Sequence, residues 1–110
     1  MEEIKQFDFW SCDCSGCVEY AERGVRPCII ISNNANNLFS VNVNIIPLTT
    51  RDKKPLPTHC IISSGKVTSF ALCEDIMTIS KSRLGEKCGE LNEFERMNVV
   101  YCLKQQLNIK

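Results

Sequence analysis

The stretch GVRPCIIISNN, residues 24–34, sets an arginine between a flexible residue and a rigid one at the mouth of an apolar run. Cys28, Ile29, Ile30 and Ile31 read as a strand buried on at least one face. Pro27 belongs to the beginning of that strand, where a missing N–H is tolerated. Gly24 frees the backbone before Arg26 and Pro27 stiffens it afterwards, so the guanidinium is expected to project from a fixed point at the strand's edge.

Working outward, IKQFDFWSC (4–12) alternates as a first strand, with Phe7 and Phe9 on one face and Asp8 and Trp10 on the other. CDCSGCVEYAERG (12–24) reads as a polar loop, and NNANN (33–37) as a turn of residues that accept left-handed backbone. SVNVNIIPLTT (40–50) is a third strand in which Val41, Val43 and Ile45 alternate with Asn42 and Asn44. After the charged, proline-broken RDKKPLP (51–57), THCIIS (58–63) is a fourth strand and TSFALCEDIMTIS (68–80) a fifth, bent one. KSRLGEKCGEL (81–91) reads as a helical turn with a small edge strand. The end is helical: Asn92 and Glu95 have the spacing of a capping box, and Phe94, Met97, Val100, Tyr101, Leu103 and Leu107 supply an apolar face. Five short strands and a terminal helix predict an α+β, mainly β fold: a small, strongly bent barrel or half-barrel with the helix packed on it.

The 110 residues suit a single domain. Thirteen basic residues balance thirteen acidic ones, which argues against indiscriminate coating of nucleic acid but leaves room for a local basic site. No apolar run approaches the ~20 residues of a membrane span. The start, MEEIKQFDFW, lacks the features of a secretory signal, so the cytosol is the expected compartment.

If the second and third strands pair antiparallel, the start of one lies beside the end of the other. Arg26 then meets Thr49 at one rim. A planar guanidinium beside a hydroxyl makes a phosphate-sized site. The plainer alternative is a surface ion pair for Arg26 and a strand-end role for Thr49.

Several ordered motifs sharpen the choice: Gly24-Val25-Arg26-Pro27, Pro47-Leu48-Thr49, Leu56-Pro57-Thr58-His59, and the TISKSRL block ending at Leu84. Together, and over nearly the whole chain, the sequence resembles the MazF/PemK family of toxin ribonucleases. The resemblance implies a homodimer of SH3-like barrels of the CcdB/MazF type, cutting single-stranded RNA without metal or other cofactor. Arg26 and Thr49 fall on the family's catalytic pair. It further implies 2′,3′-cyclic phosphate and 5′-hydroxyl products, a cognate antitoxin that holds the enzyme off, and no membrane or DNA partner. RNA contacts carried over in this way are Tyr20, Glu22, Gly24, Thr50, Arg51, Lys53, Lys54, Leu56 and Ser69. Tyr20 and Ala21 stand where many relatives carry a serine- or histidine-glutamate pair, and Met77 stands where they usually carry arginine, a departure that predicts one basic contact fewer along the RNA path.

Eight cysteines are many for this length. Cys12, Cys14 and Cys17 have a spacing that can wrap a metal, yet a closed structural site wants a fourth ligand, with Cys28, His59 and Cys60 as candidates. A redox-sensitive loop and ordinary reduced thiols are the other readings, and no metal is expected. Cys28, Cys73 and Cys102 lie in apolar stretches as small core residues. The single histidine, His59, excludes a histidine-pair nuclease; its readings are a general acid–base or, more simply, a structural hydrogen bond. The competing functions are a CcdB-like inhibitor that binds without cutting and a degenerate family member with a regulatory role.

Overall fold

The computed structural model describes residues 3–15, 24–50, 58–65 and 67–110. Its strands are β1 (Asp8–Asp13), β2 (Val25–Ile30), β3 (Asn42–Thr49), β4 (His59–Ile62), β5 (Ser69–Leu72), β6 (Met77–Ser80) and β7 (Leu84–Glu90). Helix α1 (Asn34–Phe39) joins β2 to β3, a 3₁₀ turn at Lys81–Arg83 precedes β7, and α2 (Glu93–Leu107) ends the chain. All pairings are antiparallel, in the order β4-β5-β3-β2-β1-β7, with β6 also on β3. The path is open, a bent half-barrel of the expected class, with α2 packed against β4.

β3 causes the bend. Asn42–Ile45 pair with β6, while Leu48 and Thr49 pair with β5. One strand therefore serves two sheets, each with its own core layer. Trp10, Cys28, Ile30, Val43 and Ile45 lie in one layer, and Phe9, Ile29, Ile46, Ile62 and Val99 in the other. The period-two alternation of β1 and β2 explains the division, since successive side chains leave opposite faces. Phe7 packs in the layer of Phe9, away from Trp10, but it does so from a turn before β1, with φ +70°, and not as part of the strand expected over 4–12.

Several expectations are corrected. NNANN is not a turn: Asn33 accepts from Asn36 N and caps α1, and buried Asn37 bonds the Ser32 carbonyl through Nδ2 at 2.9 Å. The same side-chain chemistry that favours turns favours helix caps. Residues 68–80 form two strands rather than one bent strand, because the chain turns at Cys73–Glu74 and passes from the β5 end of β3 to its β6 end. Val41 precedes β3 and is exposed. Pro27 is the third residue of β2, in the part paired only with β1. Cys12 lies within β1 and Cys14 directly after it; both are buried in the core rather than in a polar loop.

The largest correction concerns α2. Of the expected face only Leu103 packs, partly buried, on the core; Phe94, Met97, Tyr101 and Leu107 face outward, while Glu95, Val99 and Cys102 are buried. Burying Glu95 serves a purpose. Its Oε2 accepts from Ser63 N at 2.8 Å and Ser64 N at 3.1 Å, and Oε1 accepts from Asn92 N at 3.1 Å. Asn92 Oδ1 accepts from Glu95 N, completing the capping box foreseen from the spacing. Burial pulls the Glu95 carboxyl upward, but the donors from Ser64, Ser63 and Asn92 outweigh it and hold the carboxyl below the usual glutamate range.

A depressed folded-state pKa contributes stability that is present above the unfolded value and lost as pH falls through the folded one. Glu95→Gln is therefore expected to lower stability at neutral pH by about 1.5–3 kcal/mol, the usual scale for hydrogen bonds to a charged group. The gap to the native chain should close in acid as the native carboxyl protonates. Denaturant titrations of both chains across this pH range provide the check.

Candidate functional site

The β2–β3 register places the candidate pair. Cys28 lies opposite Pro47, Ile29 opposite Ile46 and Ile30 opposite Ile45. Two residues further out along each strand, Arg26 and Thr49 come to the same rim. Both line a cavity of about 470 Å³, together with Thr50 and Ser69. Arg26 is exposed, and Thr49 is only 3% exposed. Thr49 pairs with Phe70, which brings the neighbouring Ser69 to the rim as well. Gly24, which has φ +89°, a left-handed conformation with no side chain to strain, stands just before Arg26 but does not line the cavity.

Sequence reasoning missed the opposite wall. Ser11 of β1 and Glu86, Lys87 and Cys88 of β7 also line the cavity, with Phe9, Val25, Leu48 and Val67 as apolar surface. The β1–β7 ladder shifts register between Phe9 and Cys12. Ser11 Oγ accepts from Glu86 N at 2.9 Å and occupies the space that a Cβ on Gly85 would need, 2.5 Å away. A side chain at residue 85 would force Ser11 Oγ out of its position. Lys87 Nζ lies 3.6 Å from Asp8 Oδ1 and 3.3 Å from Glu90 Oε1, so its position is braced by two carboxylates. The only sequence signal for this wall was the small edge strand expected within 81–91, which gave no indication of its neighbour.

The arrangement offers a guanidinium, an ammonium and several hydroxyls, with the Glu86 carboxylate beside Lys87, in a recess with apolar walls. Such a set suits a singly charged oxyanion whose substituents extend along the groove. The planar fork can hold two oxygens and a hydroxyl a third.

The remaining candidates divide clearly. Tyr20, Glu22, Arg51, Lys53, Lys54 and Leu56 lie outside the described residues, as does Cys17. Arg83 Nη1 donates to the carbonyls of Asp13 and Ser15, 3.0 Å each, and so fixes the chain where it leaves β1. Met77 pairs with Ile45 and is buried in the core layer of Trp10; it packs in the core instead of lining the cavity. His59 Nε2 lies 2.6 Å from Glu74 Oε2, with Thr58 Oγ1 donating to the other carboxylate oxygen at 3.2 Å. It does not line the cavity, in keeping with a structural role. Cys12 Sγ and Cys14 Sγ are 3.2 Å apart; the hydrogen bond between them, with burial, pushes the Cys14 thiol far above the ordinary range. A buried thiol with its pKa raised in this way is a poor redox sensor, because the thiolate is the reactive form.

Comparison with known proteins bears on this geometry. Residues 5–107 match the family model described as PemK-like, MazF-like toxin of type II toxin-antitoxin system. The chain is 34% identical over 95 residues to Endoribonuclease EndoA of Bacillus subtilis (strain 168), covering 82% of each chain. A mycobacterial endoribonuclease solved in complex with its cognate antitoxin superposes with a TM-score of 0.83 at 26% identity, covering 97% of both chains. MazF of Deinococcus radiodurans gives a TM-score of 0.87 over 99% of this chain and 100% of that one, at 18% identity, which speaks for the fold alone. A family match spanning nearly all of the chain, on the fold that sets Arg26 and Thr49 at one rim, places this protein among the PemK-like, MazF-like toxins of type II toxin–antitoxin systems.

Proposed function

We propose that this chain is an endoribonuclease toxin that cuts single-stranded RNA, messenger RNA included, at short preferred sequences, leaving 2′,3′-cyclic phosphate and 5′-hydroxyl ends. The observation that carries the reading is the meeting of Arg26 and Thr49 in one cavity at the β2–β3 rim. RNA brings its own nucleophile, the 2′-hydroxyl. The enzyme has to align that oxygen with the phosphorus, accept its proton, stabilise the phosphorane and protonate the leaving 5′-oxygen. Arg26 is assigned to the charge on the phosphorane, and Thr49 donates a hydrogen bond to a non-bridging oxygen. Thr50 and Ser69 extend the hydroxyl lining, and Lys87 lies on the opposite wall for a flanking phosphate. With the nucleophile supplied by the substrate, the reaction is expected to run in EDTA.

The outward face of α2 supports a homodimer. Phe94, Met97 and Tyr101 are exposed by 71%, 66% and 61%, and Ile61 of β4 beside them by 63%. Ile61, Phe94 and Tyr101 border one shallow surface recess. A contiguous apolar patch of this kind is covered at little cost by a second copy. The relative solved with its antitoxin supports the further reading that this toxin, in the cytosol, is held inactive by a cognate antitoxin.

In EDTA, the native chain is expected to cut a long single-stranded RNA into discrete fragments. Arg26→Ala should be slower by about 10²–10³-fold, the usual loss on removing an oxyanion donor, while Thr49→Ser retains more activity than Thr49→Ala. Intact RNA with folded native protein would overturn the enzymatic reading in favour of a binding toxin. Gly24→Ala should cost about 1–2 kcal/mol through left-handed strain alone, since no atom crowds its Cβ. Urea unfolding measures that loss. Light scattering should give a two-chain mass for the native protein and a one-chain mass for Met97→Glu.

A further inference from the structure

Three thiols that do not line the cavity meet in the core. Cys60 is on β4, Cys73 directly follows β5, and Cys102 is on α2. Their sulfurs all lie within 4.8 Å of one another, and the residues are 6%, 0% and 6% exposed. Cys60 Sγ lies 2.8 Å from Cys102 Sγ and 3.4 Å from the Asn98 carbonyl. Ala71, Leu91 and Val99 belong to the same core layer. Three segments remote in sequence thus deliver a sulfur to one point beneath the helix. Packing alone would be met by alanine or valine.

We propose that Cys60, Cys73 and Cys102 form a three-thiolate site for a soft monovalent d¹⁰ cation, Cu(I) in chemical class. An all-sulfur donor set narrows the metals to Cu(I), Zn²⁺ and iron–sulfur clusters. Zinc in a structural site wants four ligands, and iron–sulfur clusters are commonly held by four cysteines. Among the described residues no fourth donor is at hand. The His59 imidazole is turned to Glu74, and Cys12, Cys14 and Cys28 sit in the other core layer. The nearby oxygens are the carbonyls of Asn98 and His59, hard neutral donors to which a soft ion is indifferent. Three sulfurs in one plane, each ~2.3 Å from a metal as in metal thiolates, would stand ~4 Å apart. That fits within the observed spread once the Cys60–Cys102 pair opens by about 1 Å. Metal entry displaces thiol protons to solvent and ties α2 to β4 and to the end of β5.

The test uses the full chain, reduced and anaerobic, titrated with Cu(I) alone against a chromophoric Cu(I) chelator. One chelator-resistant Cu(I) per chain is expected in the native protein. It should be lost in Cys73→Ala and Cys102→Ala and kept in Cys14→Ala and Cys88→Ala, and X-ray absorption should count three sulfur neighbours. Circular dichroism identifies variants that remain folded. For any that does not, Cys73→Ser and Cys102→Ser take its place, keeping the side-chain volume but not the soft donor, and the retained Cu(I) should be lost in both. No retained Cu(I), retention in folded Cys102→Ala, a four-ligand Zn²⁺ site, or a Cys60–Cys102 disulfide in anaerobically prepared protein would each overturn the proposal. None of these readouts depends on RNA cleavage.

Discussion

The division of β3 between two sheets is the constraint on which the rest of the structure depends. Its first half pairs with β6 and its last two residues with β5, while β2 runs along its middle. A strand so shared cannot lie flat in both sheets, so the sheet bends around it, and twist accumulates at the bend. The bend makes two core layers possible in a short chain, and it leaves the end of β3 at an open rim. Ile45 and Ile46, fully buried on successive positions, hold the two layers apart. Replacing either by a smaller residue would weaken one layer and loosen the other through the shared backbone.

The rim inherits its chemistry from that register. Arg26 owes its place to the β2–β3 ladder and Ser69 to the β3–β5 ladder, so the two catalytic candidates and the accessory hydroxyl are referred to a single strand. A slip of one residue in either ladder would turn every side chain to the other face. The isoleucines of β2 and β3 resist such a slip because it would expose them on one side and crowd them on the other. Core packing and site geometry are thus the same specification.

This explains which parts were legible in the sequence. Alternation in 4–12 and 41–45, the apolar run after Pro27 and the capping box at Asn92 are local patterns, and the elements they imply are present. The antiparallel neighbourhood of β2 and β3 followed from chain order, and with it the proximity of Arg26 and Thr49. What stayed hidden depends on tertiary partners. The split of 68–80 into two strands requires knowing that β3 has two ends to satisfy. The inversion of α2 required knowing that Glu95 would be solvated by the amides of Ser63 and Ser64, residues some 30 positions away. Apolar periodicity marks a face that will be covered, not whether the same chain covers it. The β7 wall was unreadable for a related reason: its placement rests on a bulged ladder and on a glycine whose necessity shows only beside Ser11.

The cysteines carry the same lesson further. Spacing drew attention to Cys12, Cys14 and Cys17, a cluster by sequence, yet the first two are packed in a core layer. The thiols that do converge come from positions 60, 73 and 102 and share no local motif. Topology joins them: β4 and β5 are adjacent strands, and α2 lies across β4, so one point beneath the helix is reached by three elements at once. That point is also where the outward apolar face of α2 is anchored from behind. A group that ties Cys102 to Cys60 and Cys73 would stiffen the helix against the sheet and, through β5, the segment that delivers Ser69 to the rim. By that proposal the helix would connect its outward apolar face to the edge of the cavity that Ser69 lines.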